Sequence, residues 1–130
     1  LLAARKLGEA RRFFEASLGI REKLATQDPA SAAAQRDLIV SLDKLGDVLQ
    51  EEGAAGEARR RYQASLVIAE KLAAANPGSA EAQRDVAVAC FKLGRVTGEA
   101  NWFVRARSVL EELYKTGRML KRDLPYLELV

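Results

Sequence analysis

The sequence predicts an all-α fold built as an internal array, and three observations carry that prediction. The first is a return. Gln35-Arg36-Asp37-Leu38 comes back as Gln83-Arg84-Asp85-Val86, a step of 48 residues. The same step carries Glu22-Lys23-Leu24-Ala25 to Glu70-Lys71-Leu72-Ala73, Pro29 to Pro77, and Lys44-Leu45-Gly46 to Lys92-Leu93-Gly94. Residues 1–48 and 49–96 agree at roughly half their positions without a gap, well above chance for an internal repeat. The second observation is composition: Ala, Leu, Glu, Arg and Lys, the strong helix formers, dominate. The third is punctuation, since only Pro29, Pro77 and Pro125 interrupt the chain. We divide residues 1–130, a single domain and a piece of a longer protein, into units 1–48, 49–96 and a degenerate capping unit 97–130.

Each element follows from spacing and end signals. Residues 1–7 read as the close of an earlier helix, with Leu1 matching Leu49. A first full helix is predicted over 8–27, with Ala10, Phe14, Ser17, Leu18 and Leu24 as its inner stripe. Arg11, Arg12, Glu15 and Glu22 fall outside that stripe. Pro29 pushes the residue before it out of helical angles and ends the helix. Ser31 then offers an N-cap for a helix over 32–51. Its stripe is Leu38, Leu42, Leu45 and Leu49, with Val48 beside it. Gly46 sits inside this pattern at a cost of about 1 kcal/mol against alanine, so a close neighbour, a passing helix backbone, is expected there. Gly53 and Gly56 mark the next turn.

The helix over 55–75 repeats the first, with Ala58, Tyr62, Ser65, Leu66 and Leu72 inward. Asn76 and Pro77-Gly78 close it. Ser79 caps a helix over 80–98 whose stripe is Val86, Cys90, Leu93 and Thr97. Beyond Gly98 the repeat decays, although Ala106, Leu110 and Leu113 still fall where Ala58, Tyr62 and Ser65 predict. The Glu-Lys-Leu-Ala, proline-turn and Gln-Arg-Asp stretches do not return. A helix over 102–115 ends at Thr116-Gly117, and a helical turn begun at Pro125 follows. Trp102, Tyr114 and Tyr126 read as parts of a cap over the apolar end of the array, in preference to a ligand cage.

Composition narrows the function classes. The net charge is +3, but Lys plus Arg against Asp plus Glu runs 8 to 7, 7 to 6 and 6 to 5 over the three units. A phosphate-binding surface concentrates its charge on one face, so this even spread argues against nucleic acid. The run Arg59-Arg60-Arg61 fans out around its helix and reads as a solvated edge, with Glu57 supporting Arg61. The absence of histidine and the single cysteine leave zinc and haem without their usual ligands, and no cofactor is expected. Cys90 matches Leu42 and is expected to be a small buried hydrophobe, in a reducing, cytoplasmic setting. No nucleophile–base pair or metal set can be assembled, so no enzyme is expected. No run is long enough for a membrane span.

Leu45-Gly46, Gly53, Ala58, Tyr62 and Ser65 keep the spacing of a known motif, and Leu93-Gly94 with Ala106 begins it again. Gly8, Ala10, Phe14 and Ser17 close an earlier copy. This set resembles the tetratricopeptide repeat (TPR): Leu-Gly in the first helix, a small residue at the crossing, an aromatic in the second helix and a small residue three positions on. The departure is the period, 48 here against about 34 in the family. The Gln-Arg-Asp-Leu and Lys-Leu-Gly-Asp-Val segments are similar to a long-period bacterial class of such arrays. The stretch from Gly117-Arg118-Met119-Leu120 to Leu127 looks like the close of one.

The resemblance implies an antiparallel helix-pair solenoid, a right-handed superhelix of about five main helices and a short C-terminal cap. It also implies a concave groove that binds a peptide or partner helix, and thus a protein–protein interaction scaffold. Family geometry puts Arg36, Val40, Asp43, Asp47 and Gln50 on the groove side, matched by Arg84, Val88, Phe91, Arg95 and Gly98. Asp43 becomes Phe91 and Asp47 becomes Arg95 across the repeat. Packing positions should look alike in stacked copies, whereas ligand-facing positions are free to differ. These four are therefore the expected contacts, a plain solvated surface being the alternative. The invariant Arg36-Asp37 and Arg84-Asp85 pairs read as inter-helix salt bridges or caps. The other readings are a self-associating spacer joined through its array ends and, with less support, an RNA-binding helical repeat.

Overall fold

The computed structural model describes residues 2–129, with the side chains of Tyr126, Glu128 and Leu129 left out; Leu1 and the Tyr126 ring thus lie outside the described residues. The described chain is all helical: α1 (Leu2–Gln27), α2 (Ala32–Glu51), α3 (Ala55–Ala75), α4 (Ala80–Thr97), α5 (Ala100–Lys115), a 3-10 turn (Lys121–Asp123) and α6 (Leu124–Leu129). Consecutive helices pack as pairs, α1 with α2 and α4 with α5. The chain forms two compact units, Leu1–Ile68 and Ala69–Val130, divided inside α3.

The ends of the helices follow from local chemistry. The Ser31 and Ser79 hydroxyls accept from the amides of Ala34 and Ala82, at 3.1 and 3.2 Å. Each supplies a partner to an amide that the first helical turn leaves unpaired. Helix α2 closes in a Schellman turn. Gly53 takes φ +84°, its amide donates to the Gln50 carbonyl, and the Ala54 amide donates to the Leu49 carbonyl. Gly117 at φ +70° does the same for α5, with Arg118 N–H reaching the Leu113 carbonyl at 2.9 Å.

That turn explains a departure at the start of the chain. The expected break between residues 7 and 8 is absent, and α1 runs unbroken from Leu2 to Gln27. The position matching Gly53 is Arg5, a good helix former that does not favour a left-handed backbone. Nothing there closes a helix. At the other end, α4 stops at Thr97 with Gly98 left-handed at φ +74°, and α5 begins at Ala100, two residues before the expected start.

In the first unit the core is built by Leu18, Ile39, Leu42, Leu45, Leu49, Ala58, Tyr62 and Leu66, all buried. The expected α1 stripe is wrong at its end: Leu24 is exposed and Ala25 is buried. Leu24 lies six residues from Leu18, about 120° round the helix, whereas Ala25 at seven residues returns to the same side. Ile39 is also core, because α2 is buried on more than the single stripe that its leucines mark.

Gly46 has a close neighbour, but it is a ring and not a helix backbone. A Cβ there would sit 2.5 Å from the Tyr62 ring. Ion pairs tie α1 to its neighbours. Arg11 lies 3.0 Å from both Glu15 and Glu52, and Arg21 reaches Asp37 at 3.3 Å. The expected Glu57–Arg61 pair does not form. Both side chains are exposed, where water competes for each charge and a pair gains little.

The second unit buries Ala82, Val86, Ala87, Ala89, Cys90 and Leu93 of α4 against Ala106, Leu110 and Leu113 of α5. The last three are the positions that the repeat placed inside. Gly94 repeats the role of Gly46 with a different donor. The ring over it is Phe103, 2.8 Å from where a Cβ would stand, although Tyr62 matches Leu110. The aromatic has moved seven residues, two turns, along the partner helix. Of the expected cap aromatics, Trp102 is half-buried and Tyr114 is exposed.

The Gln-Arg-Asp stretch does not return whole or in register, but Arg-Asp-Leu does. Lys121-Arg122-Asp123-Leu124 carries three of the four residues of Gln35-Arg36-Asp37-Leu38, now 38 residues after Arg84. The shortened step hid it from a fixed-period comparison.

Candidate interaction surface

The expected groove positions fall on α2 in the first unit and on α4 in the second. On α2, Val40 is exposed and Arg36, Asp43, Asp47 and Gln50 are half-buried. Asp47 has an internal task. The Tyr62 hydroxyl donates to its Oδ1 at 2.6 Å and lies 3.4 Å from Gln50 Oε1. Tyr62 is fully buried, so its hydroxyl needs such a partner. The aspartate that the repeat comparison marked as variable therefore also fixes the ring that lies against Gly46.

On α4, Val88 and Phe91 are half-buried and Arg95 is exposed. Phe91 meets Phe103 edge-on, with ring centroids 5.7 Å apart. The Arg95 guanidinium lies 5.9 Å from the Phe91 centroid, within cation–π range. Arg84 points to the end of the chain: its Nε donates to Asp123 Oδ2 at 2.6 Å, and Nη1 is 3.9 Å from Asp85. Arg84, Ala87, Val88, Phe91, Leu110 and Asp123 together line a small hollow. Of the nine residues proposed from the sequence, Val40 and Arg95 are exposed.

Two features escaped the sequence reading. One is Asp123, buried beneath Arg84. The other is an open cleft of about 500 Å³ between the end of α3, α4 and α5. Ala73, Val86 and Val109 form apolar parts of its lining, and Glu70, Gln83, Arg105, Ser108 and Glu112 supply polar groups. Arg105 pairs with Glu70 there, and this hydrogen bond holds the guanidinium charged beyond its ordinary value. No periodic signal links Glu70 to Arg105, because the match to Arg105 in the preceding copy is Glu57.

Cys90 lies in the α4 core, and burial pushes its thiol up, with Arg105 pulling less strongly the other way. The thiol is expected to react with an aromatic disulfide at pH 8 only as fast as the protein opens, at least about a hundredfold slower than in denaturant. A reaction as fast as in denaturant would contradict its placement. The sign of the pH dependence follows. A thiol raised in the folded state supports the fold fully below its unfolded value. That support declines as pH rises from about 8.5 and is gone once the folded thiol ionises.

Among the described residues no group of three or more His, Cys, Asp or Glu side chains is placed to hold a metal ion. No described helix is long and apolar enough to cross a membrane. The site and fold together define an all-α chain of consecutively packed helix pairs, with internally matched faces on α2 and α4. Comparison with protein-family models, curated proteins and solved structures found no match.

Proposed function

We propose that this chain is a non-catalytic protein–protein interaction scaffold of the tetratricopeptide type, working in the cytoplasm and taking a peptide or partner helix on the α2 and α4 faces. One observation carries the reading. Between α2 and α4 the buried positions change only among small or apolar residues, as Ile39 to Ala87 and Leu42 to Cys90, whereas Asp43 and Asp47, which are not fully buried, change to Phe91 and Arg95. A change of charge is costly in a core and tolerated at a surface that meets a ligand; at position 47 it also accompanies the loss of the tyrosine that Asp47 holds, since Tyr62 matches Leu110. Phe91 with Arg95 above it offers an aromatic and a cation side by side, a combination common among residues that dominate binding energy. The even charge balance supports a protein partner over nucleic acid.

The test is selection of a displayed peptide library on the chain, followed by affinity measurement against Val40→Glu and Arg95→Glu. Both positions are exposed, so helicity should be unchanged. Selected peptides are expected to bind at least about tenfold more weakly to one or both variants. Peptides that bind both variants as tightly as the parent would place the contact elsewhere and defeat the assignment.

A further inference from the structure

The second and third Arg-Asp motifs are coupled. Arg84 belongs to the second motif and Asp123 to the third, and Arg84 donates to Asp123 at 2.6 Å. That contact leaves the Asp123 side chain only 4% exposed. Here the arginine of the second motif takes the aspartate of the third.

Asp37 and Arg122 are the exposed members of the three Arg-Asp pairs. The Asp37 side chain is 56% exposed. It lines a cleft of about 250 Å³ with Arg21, Leu24, Asp28 and Ser31. The residues matching Ala34 and Asp37 in the second copy, Ala82 and Asp85, are buried. The Arg122 side chain is exposed, has no hydrogen-bond or ion-pair partner among the described residues, and stands between the exposed Leu120 and Leu124.

We infer that Arg122 of one copy docks on Asp37 of a second, repeating between molecules the contact that Arg84 makes with Asp123. The two sides are complementary in charge and in apolar surface. The cleft sets Asp28 and Asp37 against the single cation Arg21. The incoming segment brings Lys121 and Arg122, its own aspartate being already held by Arg84. Leu24, exposed in the cleft lining, is apolar surface for Leu120 and Leu124 to cover. Arg21 is no obstacle, because an exposed pair exchanges partners readily. The contact joins different surfaces of the two copies, so it is heterologous and extends head to tail. It uses neither Val40 nor Arg95, and it stands or falls apart from peptide binding.

Sedimentation velocity from about 10 µM to about 1 mM at low salt, a range that covers weak association, tests it. Mean mass is expected to rise with concentration and to fall when salt is added. Asp37→Arg alone and Arg122→Asp alone should each weaken association at least about tenfold. An equimolar mixture of the two variants should restore it, since every junction then again pairs unlike charges. Val40→Glu and Arg95→Glu should leave it unchanged. A monomer at every concentration overturns the inference. So does association that ignores both charge reversals, or a mixture that fails to recover.

Discussion

Gly46→Ala is expected to destabilise the first unit by about 1–3 kcal/mol, although the same change in an exposed helix stabilises by about 1 kcal/mol. The sign is decided by Tyr62. A Cβ at position 46 would stand 2.5 to 2.9 Å from three atoms of its ring. That ring is fully buried and its hydroxyl is held by Asp47 at 2.6 Å, so it cannot swing aside cheaply. Moving it also endangers a hydrogen bond to a charged group, worth about 1.5–3 kcal/mol. Tyr62→Leu places at 62 the residue that its match, position 110, already carries. In that background Gly46→Ala should be close to neutral, which makes the pair a double-mutant cycle. Gly94→Ala is the internal control. Phe103 lies 2.8 Å away, but it is only half-buried and can give way, so the loss should be smaller. The readouts are urea unfolding and amide hydrogen exchange of α2 and α3, because a chain with two units need not unfold in one step. A stabilised Gly46→Ala would mean that the Tyr62 ring does not lie against α2.

Arg84→Ala is expected to cost about 3–5 kcal/mol in the second unit, the range for removing one partner of a buried ion pair. Its other consequence is local. Asp123 sits in the 3-10 turn before α6, and its second oxygen, Oδ1, is buried without a hydrogen-bond partner among the described residues. With Arg84 gone, the carboxylate has to reach water, and the segment 118–129 should lose exchange protection before α4 and α5 do. Asp123→Ala should also be destabilising, because it strands the partly buried Arg84. The combination Arg84→Met with Asp123→Leu should recover most of the loss, since apolar residues of similar volume remove both desolvation penalties. If Arg84→Ala leaves the exchange of 118–129 as it was, the segment is held by its apolar contacts and not by the ion pair.

These two sites show how far the sequence could be read. The helices were legible because their signals are local. Ser31 and Ser79 cap, Pro29 and Pro77 stop, and Gly53 and Gly117 turn the chain, each through its own backbone. Burial was legible at the leucine stripe of α2, Leu42, Leu45 and Leu49, and missed beside it at Ile39. It was misread at Leu24, where a leucine stands about 120° from the true inner line. Exact repetition marked Arg84 as an ion-pair former and did not show its partner. Arg84 was marked by its identity with Arg36. Asp123, which it binds, sat in a motif shifted by ten residues.

The sequence by itself determined the all-α class, the register of the copies and nearly every helix boundary. Periodicity, capping and glycine conformation act over a few residues, so their information is local. Only the tertiary structure decided which ring lies against each glycine, where Arg84 finds its carboxylate, and that Asp47 serves Tyr62. These contacts join residues 9 to 39 positions apart. Their energies depend on burial and on distances of a few tenths of an ångström, which spacing along a chain does not encode.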